Sequence, residues 1–336
     1  MEWFWSFYNF GSGFSNANTG PGAQYNNNAG GPQYNYNYYG CGASPSKLTR
    51  TECLRSLSFS NIDARRQDIA AVHPNTGDWI FQTTEFRRWR DRTHLSDHNG
   101  VLWIKGHPGT GKSTLMKHIW GYCQQEFRDR TIAAYFFHAR GDSLEKTPLG
   151  MLRSLVSQLV DNEEPTYERF LPLFRQKNPL HQNWEWRDSE LMDFLVSEMQ
   201  VQQRKPIVLL IDALDECSDS QARDVVKFLE RLSITCLRHE VNVCICLSSR
   251  HYPHISMAKC QERVVENRNG HDMDIDIYLY DNLTKSNPYI EKLIFNKASG
   301  IFLWVVLVVA MLNKAYDEGK IEAMEQKCHT DICPQF

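Results

Sequence analysis

At 336 residues the chain is long enough for one sizeable core with appendages, since domains usually run to about 100–200 residues. Its formal net charge of −3 and pI near 6.5 come from scattered acids and bases, so no long basic block points to nucleic acid. Ten cysteines lie between Cys41 and Cys333 without a C-x-x-C pair, which indicates neither a disulfide framework nor a cysteine-based zinc site.

The chain opens MEWFWSFYNF, with Glu2 and no Lys or Arg, which fails as a secretory signal and gives a cytoplasmic expectation. From Gly11 to Gly42 it is almost entirely Asn, Gly, Tyr, Gln, Ser, Ala and Pro, a composition unable to build a packed core. Inside that stretch NTGPGAQYNNN, starting at Asn18, is followed by NAGGPQYNYN, starting at Asn28, so a Gln-Tyr-Asn unit is written twice. Amide ladders and stacked tyrosines make such tracts disordered alone yet prone to cross-β assembly. An inert flexible tail fits the composition too; the repeated register favours assembly.

Ordinary globular composition returns after the tail, and four segments are expected: residues 1–46 as the low-complexity tail, 47–98 as a helical lead-in, 99–260 as the core domain and 261–336 as a helical segment. In the core, β-rich runs alternate with helical stretches: Val101–Lys105, Ile132–Phe137, Ile207–Ile211 and Val243–Leu247. This alternation predicts an α/β fold with a parallel sheet, and the near-continuous apolarity predicts strands buried on both faces in a three-layer sandwich. Thr147 followed by Pro148 predicts a capped helix burying Leu152, Val156 and Leu159, and a second helix is expected near Asp188 burying Leu191, Phe194 and Leu195. The apolar run Ile301–Leu312 is too short for a membrane span, which needs about 20 residues, and reads as a buried helix.

Chemistry concentrates at three places. Gly106–Ser113 reads GHPGTGKS, matching G-x-x-x-x-G-K-S between an apolar strand and the helical stretch Thr114–Phe127, the context that a phosphate loop requires. In it Gly106, His107, Pro108, Gly109, Thr110, Gly111, Lys112, Ser113 and Thr114 are the candidate nucleotide-binding residues. Backbone N–H groups and the helix N-terminus face phosphates, Lys112 supplies a mobile cation, and the Ser113 hydroxyl is a ligand for Mg2+. The second place is PIVLLIDALDEC, where an apolar strand ends in Asp212 with Asp215 and Glu216 close behind. Asp212 is the candidate second Mg2+ residue, and Asp215 or Glu216 the candidate to orient or deprotonate an attacking water. Third, the strand Val243–Leu247 runs into Ser248, Ser249 and Arg250, where Arg250 either senses a γ-phosphate or pairs with a carboxylate. Gly141–Leu144 has the look of an esterase string, and His251, His254 and Cys260 have loosely ligand-like spacing, but neither has a second motif beside it.

Taken together GHPGTGKST, LLIDALDEC and LSSRHYP resemble the NACHT branch of the STAND signalling NTPases, and DARRQDIAAVHPNTGDWIF with KASGIFLWVVLVV resembles fungal members carrying a nephrocystin-3-like N-terminal nucleotide-binding domain. The resemblance covers about residues 58–324. It implies a P-loop NTPase sheet of order 5-1-4-3-2, bound ATP or GTP with Mg2+, catalytic or sensing roles for Asp215, Glu216 and Arg250, and base recognition around Arg66–His73. It further implies a slow NTPase switch that controls oligomerisation and passes a signal, in incompatibility or related cell death, to an effector with a matching amyloid motif. Against the family pattern, the chain stops at Phe336 before the usual winged-helix part and C-terminal repeats. The expectation is therefore a truncated product, a fragment or a natural short form, in one reading a non-hydrolysing scaffold or modulator of a full-length relative.

Overall fold

A computed structural model describes residues 45–177, 184–252, 254–266, 269–285 and 287–320. The low-complexity tail and the last sixteen residues, for which a tail and an incomplete lid are expected, lie outside the described residues. The chain divides into two units, residues 1–51 and 52–336. Of the first only the opening of α1 (Pro45–Leu57) is described; the second holds all that follows.

Short helices lead in: α2 (Ala64–Asp68), α3 (Trp79–Gln82), α4 (Thr84–Asp91) and α5 (Leu95–His98). Then come β1 (Val101–Lys105), α6 (Lys112–Glu126), β2 (Thr131–Phe136), α7 (Pro148–Asn162), α8 (Glu164–Lys177), α9 (Asp188–Glu198), β3 (Ile207–Asp212), α10 (Asp219–Arg238), β4 (Val243–Ser249) and β5 (Gln261–Val264). All four strand pairings are parallel and the order is β2-β3-β4-β1-β5. Read from the other edge this is the expected 5-1-4-3-2.

The strands are apolar throughout because both faces are covered, and the two-residue period of a strand divides their side chains between two cores. Val101, Trp103, Tyr135, Leu209 and Ile245 point into the layer that holds α7, α9 and α10. Leu102, Ile104, Phe136, Leu210 and Cys246 point into the layer that holds α4 and α6. The three-layer sandwich follows directly from that alternation.

Thr147 caps α7, its hydroxyl accepting the Gly150 N–H, with Pro148 in the first turn, and α9 begins at Asp188 and buries Leu191, Phe194 and Leu195. The sheet runs past residue 260, since β5 pairs with β1. Three helices follow, α11 (Asn269–Asn282), α12 (Pro288–Ala298) and α13 (Phe302–Asp317), around a small core of their own that includes Leu279, Ile294, Val305 and Val309. The expectation of a buried helix over Ile301–Leu312 needs correction: α13 buries one face, while Leu303, Leu307 and Met311 are about half-exposed on the other. Among the described residues no helix is long and apolar enough to cross a membrane.

Candidate functional site

The site lies at the carboxyl ends of β1, β3 and β4, where a parallel sheet presents its loops. After Lys105 the chain turns through Gly106–Gly111 and enters α6. Gly109 (φ +78°) and Gly111 (φ +88°) are in the left-handed region, which costs an L side chain about 1–2 kcal/mol. A Cβ on Gly111 would meet nothing within 4 Å, so there the dihedral alone requires glycine. The Leu115 N–H bonds back to the Gly111 carbonyl at 2.9 Å. The Lys112, Ser113 and Thr114 amides before it are the first-turn donors that a helix leaves without an internal acceptor, and they carry the positive end of its dipole.

Thr110 is buried and ties the loop to itself, its hydroxyl donating to the His107 carbonyl at 3.0 Å. Pro108 precedes Gly109 at the loop's crest, and the Gly109 carbonyl accepts the Leu303 N–H at 2.9 Å, so the first turn of α13 rests on the phosphate loop. The Lys112 ammonium donates to the Gly106 and His107 carbonyls, each at 2.8 Å. Burial pushes its pKa down, against the pull of the Asp215, Asp212 and Glu266 charges.

Asp212 ends β3 and is fully buried. The β3–β4 register, which pairs Ile211 with Leu247, sets Ser248 alongside it. The Ser248 hydroxyl donates to Asp212 Oδ1 at 2.5 Å and accepts the Ala213 N–H at 2.9 Å. Oδ2 is buried without a hydrogen bond of ordinary geometry. Desolvation raises the carboxyl pKa, opposed by the Ser248 and Ser113 hydroxyls. A buried carboxylate oxygen with a free lone pair, beside a hydroxyl and a lysine at a helix N-terminus, is a donor set suited to a hard cation bound to phosphate.

Of the remaining predicted residues, Asp215 and Arg250 are joined: Arg250 Nε donates to Asp215 Oδ2 at 2.9 Å and the Arg250 N–H to Oδ1 at 2.8 Å. Glu216 turns away and accepts the Ala139 N–H at 2.6 Å. Lys112, Ser113, Asp212, Asp215 and Arg250 are thus gathered at one place, with Glu216 directed to the loop after β2. Arg66 stacks over Trp120 and His73 pairs with Asp281 at 2.9 Å. Gly141–Leu144 forms the turn where Glu145 accepts the Asp142 N–H. Two residues that border the site, Ser248 and Glu266, have no role assigned from sequence. Ser248 was legible in principle from the pairing of two apolar strands ending in Asp and Ser. Glu266 follows a polar edge strand that gives no such signal.

Residues 75–250 match the family model described as Nephrocystin 3, N-terminal. The vegetative incompatibility protein HET-E-1 of Podospora anserina is 24% identical over 262 residues, which cover 70% of this chain and 18% of that protein. The chain therefore spans less than a fifth of the length of this curated relative. Among solved structures, Cdc6p from Pyrobaculum aerophilum aligns with a TM-score of 0.44 at 10% identity over 84% of this chain and 72% of that one. The Drosophila ORC bound to DNA aligns at 0.46 and 11% identity over 88% and 69%. At these scores neither likeness carries further argument.

Proposed function

The chain belongs to the Nephrocystin 3, N-terminal family, and from that premise we propose that it is a nucleotide-binding signalling switch of the NACHT type that takes ATP or GTP with Mg2+. The observation that carries this reading is the fully buried Asp212, whose Oδ2 has no hydrogen bond of ordinary geometry and whose carboxyl faces the Ser113 hydroxyl and the Lys112 charge. In this reading phosphate oxygens replace the Gly106 and His107 carbonyls as acceptors for Lys112, and the first-turn amides of α6 donate to the same phosphates. Ser113 and Asp212 would hold Mg2+, which supplies charge neutralisation across the β- and γ-phosphates.

The engagement of Asp215 by Arg250 and of Glu216 by Ala139 supports slow turnover, because each acid's charge is already held by a protein donor that competes with an attacking water. The same observation favours a second reading, a non-hydrolysing scaffold or modulator of a longer relative. Glu216 is the candidate to polarise water and Arg250 to sense the γ-phosphate once released from Asp215. The likeness to a protein of vegetative incompatibility supports a role in incompatibility; in this reading the low-complexity tail, residues 1–46, is the prion-like assembling element for self-association, and an effector bearing a matching motif is the partner. The proposed NTPase domain runs to the end of β5, beyond residue 260, with residues 47–98 as its lead-in.

Binding of Mg-ATP and Mg-GTP measured by calorimetry tests the central claim: Lys112→Ala should bind at least about tenfold more weakly, about 1.4 kcal/mol. Equal, poor binding by wild type and variant would sink it. Single-turnover hydrolysis separates the two readings, since a switch loses its slow phosphate release in Glu216→Gln and a scaffold has none to lose.

A further inference from the structure

Glu266, just past β5, has a side chain only 3% exposed. Such a carboxylate needs compensation, because removing an ion from water costs several kcal/mol. It lies directly under the phosphate loop: a Cβ on Gly106 would come within 2.5 Å of Glu266 Oε2, so glycine at that position is also what admits the carboxylate. Oε2 accepts the His107 N–H at 3.3 Å. Oε1 faces two imidazoles, with His251 Nε2 at 2.5 Å and His107 Nε2 at 3.8 Å. Lys112 feels the Glu266 charge, but its own hydrogen bonds go to the Gly106 and His107 carbonyls.

One ligand atom from each of His107, His251 and Glu266 lies within 4.8 Å of the other two. Around zinc, nitrogen and carboxylate ligands sit about 2.0–2.2 Å from the metal, which sets neighbouring donors roughly 3.4 Å apart. The 2.5 Å pair opens and the 3.8 Å pair closes to reach that spacing. His107 is free to rotate, since its side chain is 55% exposed. Two imidazoles and a carboxylate suit a borderline-soft ion rather than magnesium, and three protein ligands leave a fourth position open.

We propose that His107, His251 and Glu266 form a binding site for a divalent transition metal of the zinc class, distinct from the Mg2+ residues. The ion clamps the phosphate loop to the chain segments that follow β4 and β5, neutralising the buried carboxylate. This proposal does not rest on nucleotide binding, and zinc uptake is read with no nucleotide present.

The test uses the full chain, stripped with a chelator and titrated with Zn2+ alone against a chromophoric competitor. Wild type should take up one tight equivalent and melt at a higher temperature with it, and His251→Ala and Glu266→Gln should each weaken uptake at least about tenfold. Co2+ in place of Zn2+ should give visible ligand-field bands without thiolate charge transfer, and these should vanish in His251→Ala. Should Glu266→Gln fail to fold, His107→Ala at its exposed position reads the same loss. Uptake that is absent from wild type, or unchanged in His107→Ala and His251→Ala, overturns the site. So does a purely ionic cluster, recognised by a melting temperature that does not respond to Zn2+.

Discussion

In the proposed switch Asp212 is a residue that trades folding for binding. Burial raises its pKa, so the folded chain holds the proton more tightly than the unfolded chain does. The associated stability is full below the unfolded carboxylate value and is lost as pH rises through the raised folded value. Above that raised value the metal-free protein carries the cost of a carboxylate held out of water. Asp212→Asn should raise its melting temperature by about 2–4 °C for each kcal/mol relieved and flatten the pH dependence above the ordinary carboxylate range, while abolishing the further rise that Mg-nucleotide gives wild type. A scan across pH 4–8, with and without Mg-ATP, reads both effects; a variant less stable than wild type at neutral pH would contradict the cost assigned to the charge.

At the scale of elements, one buried network fixes where β2 and β3 meet their helices. Arg204, ahead of β3, donates to Glu163 at 2.9 Å and to Glu198 at 3.2 Å. Glu198 also receives Arg169 at 2.7 Å, and Glu163 receives the Thr131 hydroxyl at the start of β2. Arg204→Met leaves two buried carboxylates short of a partner and should cost about 3–5 kcal/mol, measured as a fall in the urea midpoint. Elements of this kind were unequally legible. The four strands β1–β4 could be read from their apolar runs, and α7 from Thr147 and Pro148, because the cause of each is local. Strand β5 is Gln-Glu-Arg-Val, largely half-buried at the sheet's edge; its pairing with β1 depends on the finished sheet, and no local pattern announces it. The loop glycines, Lys112 and Asp212 carry their chemistry in sequence order, whereas the Arg250–Asp215 pair, the Ser248 bridge and Glu266 exist only because strands distant in sequence end side by side.

Over the whole second unit, the helices α11–α13 are fastened to the NTPase body at defined places. Asp274 accepts the Gly77 N–H at 3.1 Å and the Trp79 indole at 2.7 Å, and a Cβ on Gly270 would strike Trp79 at 2.4 Å. Asp274→Ala should therefore loosen these helices while leaving the sheet intact, seen as faster proteolysis between residues 266 and 320 at an unchanged main unfolding transition. Simultaneous loss of both would mean that the helices and the sheet fold as one cooperative unit.

The Leu303 N–H that rests on the Gly109 carbonyl makes a sentinel of one amide. It belongs to the opening turn of α13, so no carbonyl within its own helix protects it, and its exchange with deuterium depends on whether the loop crest keeps its shape. If Mg-nucleotide turns that peptide plane, Leu303 should exchange faster while Val308 and Val309, deeper in the helix, keep their rate; uniform slowing along α13 would mean instead that the loop tightens without letting go. A backbone hydrogen bond about forty residues past the last strand would then be the first place where the state of the phosphate loop becomes audible to the rest of the chain.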